Sequence, residues 1–110
     1  MSKNLSLNCY EFENNLVDCY EDRMGDIIGI HYIFRFQNGY GASVVKTSNS
    51  IGYEDDLWEL AILLYDEENK LSPDEYVVIY IEEITNDDIT VGNLTNEKVI
   101  EYLQKISKLN

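Results

Sequence analysis

The sequence is poor in positive charge. Eight lysines and arginines stand against 21 aspartates and glutamates in 110 residues, so the formal net charge is −13. Proline and histidine occur once each and cysteine twice. Such a chain repels nucleic acids and anionic membranes, which argues against direct binding to either, and it attracts basic protein surfaces.

Long apolar runs are also lacking. No basic start is followed by an apolar stretch, so we expect no signal peptide, and no run approaches the ~20 residues that span a bilayer. Cys9 and Cys19 do not form a CxxC pair. We therefore predict reduced thiols and a cytoplasmic protein, although the sequence leaves a disulfide between the two cysteines open.

Catalytic and metal-binding motifs are missing as well. His31 is the only histidine, so the usual zinc site has too few ligands, and nothing frames a Cys–His nucleophile. The stretch NGYGASVV, residues 38–45, lacks the lysine and the glycine spacing of a phosphate-binding loop, and Ser43 is not framed as GxSxG. The acid pairs fit no calcium loop. We predict a protein that is not an enzyme and that has no cofactor and no metal.

The periodicity of the apolar residues predicts a mixed fold. Phe12, Leu16, Tyr20 and Met24 recur every four residues, which predicts a helix over residues 8–25 with Asn8 as its cap and Gly25 as its stop. From residue 28 the period changes to two. Alternate residues are apolar, namely Ile28, Ile30, Tyr32, Phe34 and Phe36, while His31 and Arg35 fall on the other face.

Asn38-Gly39 then predicts a type I′ hairpin turn, because that turn needs positive φ at both central residues. A second strand over Tyr40–Thr47 returns from it. We predict further strands over residues 57–65, with Trp58 in the core, and over residues 76–81. Residues 82–94 are predicted to be irregular, and a C-terminal helix is expected to begin after Thr95.

These elements predict a single α+β domain, residues 1–110. Its core is expected to be an antiparallel sheet of about four strands, with an N-terminal and a C-terminal helix packed on one face.

The NGYGASVV hairpin, LWELAIL and ITNDDITVGNLTNEKVIEYLQKI together resemble a family of small uncharacterised phage and prophage proteins. The resemblance covers residues 28–109. The chain departs from that pattern in its longer acidic stretch, residues 72–83, and in the predicted N-terminal helix. The resemblance implies a phage origin, and hence action in the cytoplasm of a host bacterium. Small acidic phage proteins are often inhibitors of host defence, anti-CRISPR proteins among them.

The acidic residues are concentrated, since residues 54–88 contain thirteen acids and one lysine. Carboxylates on alternate strand residues lie ~6.6 Å apart, similar to every second phosphate of a DNA strand at ~3.4 Å per residue. Exposed tyrosines among the acids, such as Tyr53, Tyr65 or Tyr76, would add contact energy. The predicted partner-binding residues are Tyr53, Glu54, Asp55, Asp56, Asp66, Glu67, Glu68, Asp74 and Glu75.

The predicted function is that of a phage-encoded acidic protein. It would inhibit a nucleic-acid-binding host defence protein by mimicking nucleic acid, and a CRISPR effector is the first candidate partner because it holds nucleic acid in positive channels. The alternative is an accessory or structural phage protein whose acidity serves solubility. Such a protein would be a monomer, or a homodimer through an exposed sheet edge.

Overall fold

The computed structural model describes residues 4–22, 25–65, 76–86 and 88–110. A 3-10 helix, Tyr10–Asn15, precedes the first strand of a sheet, and a 3-10 turn, Tyr53–Asp55, lies in the connection between the third and fourth strands. The strands are β1 Leu16–Asp22, β2 Gly29–Arg35, β3 Tyr40–Thr47, β4 Trp58–Tyr65, β5 Tyr76–Ile79 and β6 Thr90–Leu94. The helices are α1 Glu82–Thr85 and α2 Asn96–Ser107.

All six strands pair antiparallel, in the order β1-β2-β3-β4-β5, and β6 also pairs with β4. β5 pairs with the second half of β4 and β6 with its first half, so the two follow one another along the same side of β4. The short helix α1 interrupts them. The prediction of about four strands is therefore wrong, and so is that of an irregular segment over residues 82–94.

The predicted N-terminal helix is also wrong. Residues 10–15 form a 3-10 helix, and β1 begins at Leu16 and pairs with β2. Phe12 does enter the core, where its ring meets Phe36 edge-on at 5.6 Å. Gly25 takes the expected left-handed φ of 61°, but in the turn between β1 and β2 and not at a helix end. Met24 lies outside the described residues.

The period of two in β2 is confirmed only in part, because Ile33 is buried on the opposite face of the sheet, and Ile28 lies before the strand and is 53% exposed. Tyr32, Phe34 and Phe36 point into the main core, and α2 covers this face of the sheet with Val99, Leu103 and Ile106. Thr95 caps α2 by accepting a hydrogen bond from the backbone N–H of Lys98. Fully burying one such large apolar side chain stabilises the fold by about 1.5–3 kcal/mol. The mixed α and β composition is thus confirmed, with α2 as the one long helix among the described residues.

The stretch NGYGASVV is a hairpin bend, but its turn is not type I′. Gly39 has a φ of 88°, whereas Asn38 does not take positive φ. The Asn38 side chain instead joins the turn to the end of α2, because Nδ2 donates to the carbonyls of Ile106 and Leu109, each at 2.9 Å. Its Oδ1 accepts from the N–H of Tyr40 at 3.0 Å.

Gly41, the second glycine of this stretch, is required by close packing. A Cβ at this position would collide with the carbonyl oxygen of Phe34 on β2 and would lie 2.7 Å from the Tyr65 ring. Both glycines therefore serve the fold.

None of the helices among the described residues has the length and apolarity to cross a membrane.

Candidate protein-binding surfaces

Four of the predicted binding residues, Tyr53, Glu54, Asp55 and Asp56, lie together in the connection between β3 and β4. The other five, Asp66, Glu67, Glu68, Asp74 and Glu75, lie outside the described residues. β4 has eight residues, so its ends are roughly 23 Å apart at ~3.3 Å per residue. The four described residues therefore lie at the opposite end of the sheet from Tyr65 and Tyr76.

Asp56 has a structural role that its sequence context does not reveal. Its Oδ1 accepts hydrogen bonds from Nζ of Lys46 and from the backbone N–H of Asn4, both at 2.9 Å. Lys46 is only 2% exposed, and its ammonium also donates to the Asn4 carbonyl at 2.7 Å and lies 4.3 Å from the Trp58 ring centroid. A buried ammonium needs a negative partner, which Asp56 supplies. Because Asp56 also accepts from the N–H of Asn4, it holds the N-terminal segment to the sheet.

Glu54 and Asp55 are exposed on a well-defined turn. Gly52 starts this turn with a φ of 93° and accepts a hydrogen bond from the N–H of Leu57 at 2.9 Å. Tyr53 is half-buried here, not fully exposed. We call Glu54 and Asp55 the loop acids. Their side chains are exposed, whereas the carboxylate of Asp56 pairs with the buried ammonium of Lys46.

Of the other two tyrosines considered for a partner, Tyr76 is 40% exposed but Tyr65 is buried, with 5% exposed. The expectation of an exposed Tyr65 is wrong because its ring lies over Gly41, and its hydroxyl donates to the Phe34 carbonyl at 3.4 Å. Arg35 lies over this ring, 4.7 Å from the centroid.

Tyr65 helps to line a cavity of about 300 Å³ on the sheet face opposite α2. The lining combines aromatic and apolar side chains with one acid and one arginine: Val17, Asp18, Tyr20, Ile33, Arg35, Tyr65 and Tyr76. Beside it, the rings of Tyr20 and His31 stack at 4.5 Å. This arrangement gives His31 an aromatic neighbour on the face of β2 opposite the main core, where the strand alternation placed it, but the buried Ile33 makes that face partly apolar.

A second acidic surface lies between the N-terminal segment and α2. We call it the α2 groove; it has a volume of about 650 Å³ and is lined by Asn8, Tyr10, Glu11, Asn96, Glu97, Ile100, Glu101 and Gln104. Three carboxylates thus share the lining with one isoleucine and one tyrosine. Tyr10 is 84% exposed, the highest value among the large apolar side chains that the structure describes.

Hydrogen bonds hold the two sides of the groove together. The N–H of Asn8 donates to Oδ1 of Asn96 at 2.8 Å, and Nδ2 of Asn96 donates back to the Asn8 carbonyl at 3.1 Å. Further along, Nε2 of Gln104 donates to both carboxylate oxygens of Glu11 at 3.2 Å. The groove is therefore a built feature of the fold, with its position fixed from both ends.

Sequence reasoning missed this groove because it placed Tyr10 and Glu11 on a helix. Part of the signal was present, since Glu97, Ile100 and Glu101 are spaced three and four residues apart and must share one face of α2. Glu101 also forms an ion pair with Lys98 at 3.1 Å, but both side chains are more than half exposed. Such a pair is worth about 0–1 kcal/mol, so it leaves Glu101 able to exchange partners.

The two cysteines are free thiols, which agrees with the predicted reduced state. Cys19 is exposed, while Cys9 is partly buried and burial raises the pKa of its thiol. Burial likewise raises the pKa of Tyr32, whose hydroxyl donates to the Leu5 carbonyl at 3.0 Å. Within the described ranges, no three histidine, cysteine or acidic side chains gather in a way that could hold a metal ion.

Comparison with known proteins yields no family model that matches the chain, and no curated protein or solved structure matches it either. The resemblance to phage proteins therefore stays a prediction from the quoted motifs.

Proposed function

We propose that this protein is a non-catalytic binding protein that inhibits a nucleic-acid-binding protein by occupying its basic surface. The observation that carries the proposal is the α2 groove, which Glu11, Glu97 and Glu101 line together with the exposed Tyr10 and with Ile100. The loop acids add a second negative surface on the same chain.

The groove has the composition of a contact site for a basic partner. Tyrosine is enriched among the residues that dominate binding energy, and such residues lie at the centre of a ring of weaker contacts. We assign this role to Tyr10, since it is 84% exposed and lines the groove together with Glu11, Glu97 and Glu101. The acids would steer a basic partner towards the tyrosine and accept hydrogen bonds from its arginines.

The spacing of the acids is compatible with mimicry of a nucleic-acid backbone. Glu97 and Glu101 are four residues apart on α2, a rise of about 6 Å at ~1.5 Å per residue. Every second phosphate along a DNA strand advances by about 6.8 Å. Side chains that bind alternate phosphates can therefore reach both carboxylates with small adjustments.

The proposed partner is a host defence protein of a bacterium that the encoding phage infects, with a CRISPR effector as the first candidate. Such effectors hold nucleic acid in positively charged channels and read a short DNA motif through arginines. The phage origin comes from the motif resemblance, and the charge and the groove supply the chemistry.

A pull-down from bacterial lysate tests the proposal. The tagged wild-type chain is compared with a groove variant, Glu97→Lys with Glu101→Lys, and with a matched loop variant, Glu54→Lys with Asp55→Lys. Both variants add the same charge, and neither touches the Lys46–Asp56 pair.

The proposal predicts capture of a nucleic-acid-binding protein at about 50 mM salt, weaker capture at about 200 mM, and competition by added duplex. The groove variant should lose capture, and the loop variant should retain more of it. The proposal would be contradicted if neither variant and no added duplex changed the amount of captured protein. Recovery of no such protein would favour the alternative, in which the acidity serves solubility.

A further inference from the structure

β5 is an edge strand with little protection. Among the described residues, β5 pairs only with β4 and lies at the end of the strand order. Its side chains are exposed on both faces of the sheet, with exposed fractions of 40% for Tyr76, 55% for Val77 and 46% for Val78. Tyr80, just beyond the strand, is 53% exposed. Residues 76–81 contain no charge and no proline.

The other edges of the sheet are protected. β1 has an irregular register beside Val17 and carries Asp18 and Glu21, and both a bulge and charged side chains discourage pairing with another chain. β6 is poorly suited to pairing with another chain, because its register with β4 is irregular and Asn93 within it takes a positive φ of 58°. An edge strand presents a row of unpaired backbone N–H and C=O groups, so the contrast singles out β5 as a place where a further strand can add.

We propose that β5 accepts an extended segment of a partner protein, whose centre is uncharged and β-prone and which carries lysine or arginine at the end that lies beside Glu82 and Glu83. The uncharged centre follows from the apolar side chains of β5. The basic end follows from the acids that border the strand, because Glu82 and Glu83 are exposed directly after residue 81.

The same charges disfavour a second copy of this chain as the occupant. Pairing two β5 strands brings together two molecules of net charge −13, and each brings acids next to its strand. Like charges close to each other in a sheet are destabilising. A segment with a basic end meets the opposite situation, since that end lies beside the carboxylates of Glu82 and Glu83.

An added strand would extend both faces of the sheet. On one face its side chains would lie beside Val78 and Tyr76, whose ring already meets that of Tyr65 edge-on at 5.5 Å. On the other face they would lie beside Val77 and Ile79, at the margin of the main core. The backbone groups would supply affinity, and these side chains would select for β-branched or aromatic residues. This inference does not rest on the α2 groove.

The test uses the full chain, labelled for NMR, and two synthetic peptides. One peptide, KKVTVTVKK, has basic ends, and the control EEVTVTVEE differs only in the charge of its ends. The readouts are amide chemical shifts and hydrogen exchange along β5. Two variants, Val77→Pro and Val78→Pro, are compared. Alternate residues of an edge strand direct their N–H outward, away from the neighbouring strand. One of the two prolines therefore removes a hydrogen bond to β4, and the other leaves the pairing with β4 intact.

The basic peptide should shift the β5 amides and slow their exchange, and the acidic peptide should not. The proline variant that remains folded should bind the basic peptide about tenfold more weakly, the equivalent of ~1.4 kcal/mol. If both proline variants unfold, the comparison of the two peptides decides alone.

Three results would overturn the proposal: equal effects of both peptides, shifts only outside β5, or no shift at all. Protection of β5 that rises with chain concentration, together with a doubled mass, would also overturn it, because a second copy would then occupy the edge.

Discussion

The ion pair between Lys46 and Asp56 allows a quantitative test of the structure. We expect Asp56→Asn to destabilise the protein by about 2 kcal/mol. Removing one partner of a fully buried pair costs about 3–5 kcal/mol, and the estimate is reduced because the Asp56 side chain is 43% exposed, so that water can replace part of the lost interaction. Asparagine is the suitable replacement because it tolerates the left-handed backbone, with a φ of 61°, at this position.

The assay is urea unfolding followed by circular dichroism, together with a double-mutant cycle through Lys46→Met. With the ammonium gone, Asp56→Asn should cost less than about 0.5 kcal/mol, because no buried charge is left without its partner. The neighbouring exposed acid gives the control, Asp55→Asn, which should change stability by less than about 0.5 kcal/mol. Equal effects of Asp55→Asn and Asp56→Asn would refute the role assigned to the pair.

The remaining predictions concern the hairpin and the thiols. Gly41→Ala should destabilise the folded protein by about 3 kcal/mol or more, because the added methyl meets backbone that cannot move aside. Gly39→Ala has open space around it and should cost only about 1 kcal/mol, from the strain of a left-handed backbone. Urea unfolding checks this order, and equal costs would contradict it. Asn38→Ala should lower stability by about 1–3 kcal/mol, because three hydrogen bonds are lost. It should also speed hydrogen exchange at the end of α2, and unchanged exchange there would argue against the contact between Asn38 and that end. A thiol reagent near pH 8 should modify Cys19 faster than Cys9, since Cys9 is partly buried and has a raised pKa, and equal rates would contradict that burial.

The raised pKa of the Cys9 thiol also has a consequence for stability. Its neutral form is favoured in the folded chain, so the unfolded chain loses its proton first as the pH rises. The contribution to stability is therefore fully present below the ordinary thiol pKa, and it is lost as the pH rises through the raised value. Cys9→Ser should reduce this loss of stability in alkaline unfolding experiments.

The sequence predicted the elements in which one local pattern dominates. The turn glycine at position 39 and the cap at Thr95 each depend on residues close together in the chain, and each was confirmed. The period of two in β2 holds for Tyr32, Phe34 and Phe36, although Ile33 is buried on the other face. Trp58 was correctly assigned to the core, since it is 2% exposed. In these places local preference and tertiary packing agree.

The N-terminal helix was predicted wrongly for a structural reason. The register of β1 with β2 is irregular between Leu16 and Asp18. Leu16 therefore packs against the main core, whereas Tyr20, four residues on, lines the cavity on the opposite face of the sheet. Side chains four residues apart share one face of a helix, but they also share one face of a regular strand, so the spacing alone did not distinguish the two. The pairing of β1 with β2 decides it.

The acidic character was visible in the sequence, but the roles of individual acids were not. Asp55 and Asp56 are adjacent and chemically identical, yet Asp56 neutralises a buried ammonium while Asp55 faces solvent. The α2 groove brings Glu11 together with Glu97 and Glu101 across more than eighty residues of sequence. Contacts of that range depend on the complete fold.

The central claim is that this chain competes with nucleic acid for a basic protein surface. The most direct measurement takes the protein captured from lysate, loads it with a fluorescent duplex, and follows anisotropy as the chain is added. The account predicts that the wild-type chain displaces the duplex, more effectively at low salt, and that Glu97→Lys with Glu101→Lys does not. A duplex that stays bound, or that both chains displace equally, would contradict it.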